Sequence, residues 1–331
     1  MKELKEIELT LNCIENGFKK VSYPRSVVIE VSSRCNLECV QCAHSYIKRK
    51  KEDMKFDLFK KIIDDIAANS IHSNVWFSNY GEPLMVGEYI CDMLTYADQK
   101  GISNTYMNTN AVLLTEEAAS WLIKGNLGHL IAGIDGYSAP VYEKIRLGAK
   151  RDDVFYNVLS LKRKLDEQGK ITPRIEAQFI VMDENEHELE EYKKFWAEHG
   201  IAVRIRNRIT WAGKVSGKEL NPKIKRIACG NTFSTCHIIQ SGHVTACGND
   251  VDAQYIIGDL NKESISEVWR RKNEHFIELQ LRHRFDELPE YCRNCIDWQA
   301  IGTVDYDESG RRYYREYELI NKLDQRKRNA G

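Results

Sequence analysis

Between residues 26 and 208 the chain alternates short β-branched runs with longer amphipathic ones, and this alternation most limits the folds open to it. Strand-like runs fall near residues 26–32, 73–78, 104–108, 128–134, 174–182 and 201–207. Helical stretches fill the gaps at Phe56–Ala68, Gly87–Lys100, Thr115–Ile123, Asp153–Glu167 and Glu186–Glu198. Strands separated by helices pair in parallel through right-handed crossovers. Six such units predict an α/β fold, a partial (β/α)6 TIM-like barrel, with a site at the carboxyl ends of its strands. Asn185 with Glu188 three residues on predicts a capping box at the start of the fifth helix.

A 331-residue chain with 42% apolar and 29% charged residues has ample material for a core. Its 48 basic and 49 acidic side chains nearly cancel, so no overall charge steers it toward nucleic acid or an anionic membrane. The first 25 residues carry no signal-peptide core, and no apolar run approaches a membrane span. A cytoplasmic location is expected. In that reducing compartment ten cysteines point to metal binding rather than disulfides. Cys13 and Cys91 stand alone and read as small buried residues.

Cys35-x3-Cys39-x2-Cys42 follows the first strand directly. Three cysteines holding a four-iron cluster leave one iron open to a small molecule, whereas a structural zinc uses four ligands. With Arg34, Asn36 and Leu37, the run resembles the signature of the radical S-adenosylmethionine (SAM) superfamily. That resemblance implies a 4Fe-4S cluster on Cys35, Cys39 and Cys42, SAM on its open iron, and reductive cleavage to a 5'-deoxyadenosyl radical. Gln41 stands where the family usually has a large apolar residue. Tyr80-Gly81-Glu82-Pro83, after the second strand, resembles the glycine-rich motif that meets the SAM amino group, with Tyr80 in place of a glycine; the other reading is a plain turn. Asn108, Asn110 and Asp135 end the third and fourth strands, where the family contacts ribose or substrate, and equally where Asn and Asp close turns. Arg146 reads either as a carboxylate partner or as part of a solvated helix.

Strand alternation places Glu176, Gln178, Arg204 and Arg206 on the face opposite the helices, toward the lumen. Arginines there favour a substrate with carboxylate, phosphate or many hydroxyls. Glu176 is the candidate base, Arg204 the candidate substrate anchor and Gln178 a candidate cofactor contact; an internal Glu176–arginine salt bridge is the alternative.

A second group, Cys229-x12-Gly242-x4-Cys247 followed by Cys292-x2-Cys295, resembles the auxiliary-cluster module called SPASM, or twitch in its shortened form. The full form needs more cysteines than the five present. The resemblance therefore implies a second, auxiliary 4Fe-4S cluster on Cys229, Cys247, Cys292 and Cys295, with Cys236 left over. The expected divisions are an N-terminal extension (1–25), the barrel (26–215), the twitch/SPASM-like domain (216–300) and a charged tail (301–331), helical from about Gly310. A hairpin turning at Ser241–Gly242 and a capped helix from Ser264 with Glu267 belong to the third of these.

Together these features predict a radical SAM oxidoreductase acting on a sugar, cyclitol or other small polar metabolite, with the auxiliary cluster taking an electron. An epimerase using Cys236 as hydrogen donor, a peptide maturase, and a non-catalytic iron-sulfur or zinc protein are the alternatives. The roughly 25 residues before the first strand are too few for the winged-helix domain of many peptide maturases. Lys48-Arg-Lys-Lys51 reads as a solvated loop or a docking patch for a flavodoxin or ferredoxin-type electron donor. Neither a nucleic-acid nor a membrane partner is expected.

Overall fold

The computed structural model describes residues 15–216 and 226–299, with two short strands beyond them. Cys13 lies outside the described residues. Six parallel strands form the centre: β1 (Ser26–Ile29), β2 (Asn74–Trp76), β3 (Thr105–Thr109), β4 (His129–Gly133), β5 (Arg174–Val181) and β6 (Ala202–Asn207), hydrogen-bonded in sequence order. The helices α1 (Phe56–Asn69), α2 (Tyr89–Gln99), α3 (Glu116–Lys124), α4 (Ala139–Ile145), α5 (Arg151–Glu167) and α6 (Leu189–Glu198) make the crossovers.

Register explains the core. Val27, Val75, Met107, Leu130, Ala177, Phe179 and Val203 occupy one face of successive strands and are buried in one apolar cluster with Phe59, Ile63, Leu94 and Trp196 from the helices. The other face carries Trp76, Tyr106, His129, Glu176, Gln178 and Arg204. Its polar character follows from the period of two, since the residues between the helix-facing ones have only the lumen to enter.

The sheet does not end with the sixth strand. β7 (Thr235–Ile238) pairs parallel with β1, and β8 (His243–Thr245) and β9 (Ile256–Asp259) follow antiparallel. The hairpin turns at Gly242 as expected, with φ at +88°, and α7 (Ile265–Lys272) starts in the expected Ser264–Glu267 capping box.

Two local expectations are corrected. Asn185 does not cap the helix after it. Its side chain receives Met182 N–H and donates to the carbonyls of Asp135 and Ile180, closing the loops after β4 and β5. Glu188 accepts the Tyr137 and Ser138 backbone N–H groups instead of reaching back to a cap. A tertiary partner with free backbone donors outbids the local box. The second correction concerns the tail. Val304–Tyr306 and Arg312–Tyr314 form strands β10 and β11, and β10 pairs antiparallel with β6. β6 would otherwise present an open edge, whose unpaired N–H and C=O groups draw a partner strand whatever the charge of the segment. The remainder of the expected tail helix lies outside the described residues. Among the described residues no helix is long and apolar enough to cross a membrane.

Candidate functional site

The loop after β1 carries Cys35, Cys39 and Cys42 across the carboxyl end of the sheet. Backbone bonds hold it from outside: Glu38 N–H donates to Leu147 O at 3.2 Å and Val40 N–H to Ile145 O at 3.1 Å, tying the loop to the end of α4. Arg34 makes a two-point contact with Asp53 and donates to Met85 O at 2.8 Å. Cys39 lies close enough to disfavour ionisation of Cys35 and Cys42. Burial, the larger effect, pushes Cys35 up to about 11 and Cys42 up to about 12, and raises Cys39.

Gly81 and Glu82 lie flat against that loop. A Cβ on Gly81 would sit 2.1 Å from Ser32 O and 2.7 Å from Arg34 O, and Glu82 N–H donates to Arg34 O at 2.8 Å. Alanine at Gly81 is therefore expected to cost about 1–3 kcal/mol in denaturant unfolding and to weaken SAM binding; an unchanged unfolding midpoint with full SAM affinity would contradict the packing argument. The Glu82 carboxylate is buried, which raises its pKa. It accepts from Asn110 N (2.7 Å), Leu84 N (3.0 Å) and Thr109 Oγ1 (2.8 Å). Its oxygens thus join the loop after β2 to the end of β3. Asn110 donates to Asn36 Oδ1 at 2.8 Å and lies 3.9 Å from Cys35 Sγ.

Asp135 follows the second of its two readings, closing loops within the protein. It is fully buried, and protein donors occupy both oxygens: Ile180 N at 2.7 Å on one, Arg146 Nη2 at 2.6 Å and Gln41 Nε2 at 2.5 Å on the other. Arg146 is the buried partner, not a solvated residue. Burial opposes its charge, but Asp135 and Cys39 outweigh that and raise its pKa. Its Nη1 reaches Cys39 Sγ at 3.7 Å. Because Asp135 can only accept, the orientation of Gln41 is determined, and Gln41 Oε1 is left buried without a donor.

Glu176 and Arg204 realise the salt-bridge alternative, with Arg204 Nε 3.0 Å from Glu176 Oε2 and His129 Nδ1 3.9 Å from Oε1. Both are almost wholly buried, so Glu176 is a partner for Arg204 rather than a free base. Beside them the rings of Trp76, Tyr106 and His129 stack at 4.6 and 4.4 Å across β2, β3 and β4. Asn108 and Gln178 share this face, and their side-chain oxygens have no hydrogen-bond partner among the described residues.

Cys229, which precedes β7, Cys247, which follows β8, and Cys292 and Cys295 come together. Burial raises all four, and the thiol of Cys229 is raised further by the other three. Cys236 does not join them. It sits in register with Val27 on the helix-facing side of β7, inside the apolar core, where burial pushes it to about 12. One residue of strand register separates the lumen from the core, which removes Cys236 as a hydrogen donor to a lumen-bound substrate.

The donor set fits iron-sulfur clusters. The expected ligand sulfurs receive N–H groups: Cys42 from His44 N (3.4 Å), Cys247 from Asn249 N (3.4 Å), Cys295 from Asp297 N (3.4 Å), Cys292 from Arg226 Nη2 (3.6 Å), Cys39 from Arg146 and Cys35 from Asn110. Such bonds stabilise the charge of cluster-bound thiolates and tune their potential. Among the described residues no three His, Cys, Asp or Glu side chains converge as around a single metal ion.

Known proteins agree with this geometry. The radical SAM superfamily profile matches residues 29–195, half of the chain, and the SPASM iron-sulfur cluster-binding domain matches residues 229–296. A tungsten-containing aldehyde ferredoxin oxidoreductase cofactor-modifying protein of Pyrococcus furiosus is 26% identical over 196 residues, 54% of this chain and 49% of that protein. The chain thus spans about half the length of that relative, and likewise 46% of the mycofactocin maturase MftC of Mycolicibacterium smegmatis, which is 26% identical over 58% of this chain. The SAM-dependent 2-deoxy-scyllo-inosamine dehydrogenase of Niallia circulans is 20% identical over 85% of this chain and 96% of its own. Among solved structures, BtrN in complex with AdoMet and 2-DOIA superposes with a TM-score of 0.56 at 18% identity (82% and 92% covered), and Streptococcus suis SuiB bound to precursor peptide SuiA with 0.63 at 15% (85% and 71%). The chain belongs to the radical SAM superfamily and carries a SPASM iron-sulfur cluster-binding domain.

Proposed function

We propose that this enzyme oxidises a small polar substrate rich in hydroxyl or amino groups. The observation that carries the reading is the set of three side-chain amide oxygens, Gln41 Oε1, Asn108 Oδ1 and Gln178 Oε1, buried without a donor at the lumen and its mouth. An acceptor left unpaired in a protein interior costs free energy that a ligand hydroxyl or amine recovers. A substrate bearing several such donors gains from each of them.

Cys35, Cys39 and Cys42 would hold the first cluster and Cys229, Cys247, Cys292 and Cys295 the second. When bound, these groups supply one hydrogen-atom acceptor, the adenosyl radical from SAM, and one single-electron acceptor, which with loss of a proton to water makes a two-electron oxidation. The protein orients the substrate through the lumen amides and excludes water with the Trp76–Tyr106–His129 stack. Likeness to the inosamine dehydrogenase along most of both chains supports a cyclitol or sugar.

Peptide modification is the second reading, supported by likeness to the mycofactocin maturase and to peptide-bound SuiB. Product mass separates the readings. A cyclitol or amino-sugar product about two daltons lighter than its substrate, with one 5'-deoxyadenosine per turnover, is expected. The Cys292→Ala/Cys295→Ala double variant should still cleave SAM but lose most of the mass change. Turnover of peptides alone, or oxidation that survives this double variant, would reject the proposal.

A further inference from the structure

Loops from the two different cysteine groups are tied together by a pair of aromatic rings. Trp211 donates its indole N–H to the carbonyl of Gln41, the residue before Cys42, at 2.9 Å. Its ring packs on Tyr80 with centroids 5.3 Å apart. Tyr80 in turn donates its hydroxyl to the carbonyl of Gly248, the residue after Cys247. Both rings belong to a small apolar cluster with Ala43, Ile47 and Val251.

Trp211 is held against its own preference. Trp211 and Ala212 have φ of +52° and +55°, left-handed backbone that a residue with a large side chain adopts only where its surroundings impose it. Asp297 imposes it. One carboxylate oxygen accepts from Thr210 N (2.6 Å) and Thr210 Oγ1 (2.8 Å), and the other from Ala212 N (2.9 Å). Asp297 is buried two residues beyond Cys295, and its own N–H points at Cys295 Sγ. Asn249, two residues beyond Cys247, donates its amide to the same carboxylate at 2.8 Å. The carboxylate therefore stands between two cysteine loops of the second group while gripping the turn whose indole reaches the first.

We propose that Asp297 is a positioning residue for the SAM site. It holds Trp211 in the left-handed turn, and Trp211 with Tyr80 holds the Cys39–Cys42 loop, so that order at the second cysteine group is transmitted to the first. The proposal requires the two cysteine groups to be the cluster sites and is independent of the substrate or product.

Two variants separate the links. Asp297→Asn keeps the shape but sets an amide donor against the donors of Ala212 and Asn249. Trp211→Phe keeps the ring and removes the N–H to Gln41. Iron per chain, SAM affinity by equilibrium binding, and the electron paramagnetic resonance of the reduced first cluster with and without SAM are the measurements. Both variants should retain about eight irons, bind SAM about tenfold more weakly and show a smaller SAM-induced spectral change. Glycine accepts left-handed backbone freely, so adding Ala212→Gly should restore affinity to Asp297→Asn and not to Trp211→Phe. Wild-type SAM affinity in iron-replete Trp211→Phe overturns the proposal, as does failure of Ala212→Gly to rescue iron-replete Asp297→Asn. If Asp297→Asn loses iron, Trp211→Phe alone decides.

Discussion

Alanine in place of Cys39 is expected to halve the iron of the reconstituted protein, from about eight to about four per chain, and to abolish 5'-deoxyadenosine formation. Two remaining thiols would leave two irons without a protein ligand, so the cluster is not retained and the open iron that SAM needs is lost with it. The loop itself should persist, because its backbone bonds to α4 and the Arg34–Asp53 contact do not involve the thiol. Cys236→Ala is the matched control. That thiol lies in the core under the helices, so iron content, SAM cleavage and product should all stay at wild-type values. Iron counting and chromatography of the cleavage product check both. SAM cleavage surviving in Cys39→Ala, or iron loss in Cys236→Ala, would reverse the assignment.

Breaking the Glu176–Arg204 pair is expected to be the most damaging change to stability outside the cysteine loops. The Arg204 and Glu176 side chains are 2% and 3% exposed, and removing one takes a close opposite charge from the other in an interior where water cannot replace it. Arg204→Met and Glu176→Gln should each lower unfolding free energy by about 3–5 kcal/mol. The double variant should lose much less than the sum, since the attraction within the pair is lost only once. Urea unfolding at constant m-value measures all three. Additive losses would mean that Glu176 and Arg204 act separately.

The sheet was readable because its strands and helices obey different periods. All six barrel strands lie within a few residues of their expected places, and the lumen assignment of Glu176, Gln178 and Arg204 followed from alternation alone. Both cysteine groups were readable for a related reason: ligands carried on one loop keep their spacing whatever the rest of the chain does. The cap at Asn185 was misread, and the roles of Asp135 and Glu82 stayed open between ligand and turn, because a polar residue near a strand end satisfies distant backbone donors as readily as ligands. Asp135 meets Ile180 of β5 and Glu82 meets Asn110 after β3, and the strand order that brings these two pairs together appears in no local pattern.

The amino-acid sequence by itself determined the alternating α/β frame and the two sets of thiols, through periodicity and through spacing within single loops. Only the tertiary structure decided which polar side chains are bound to one another and which stay open to a ligand. It paired Arg146 with Asp135 and Arg204 with Glu176, moved Cys236 into the core, and set Trp211 and Asp297 between the two cysteine groups. Hydrogen bonds and ion pairs between residues tens to hundreds of positions apart depend on how the strands are ordered and registered, and that order is a property of the folded sheet.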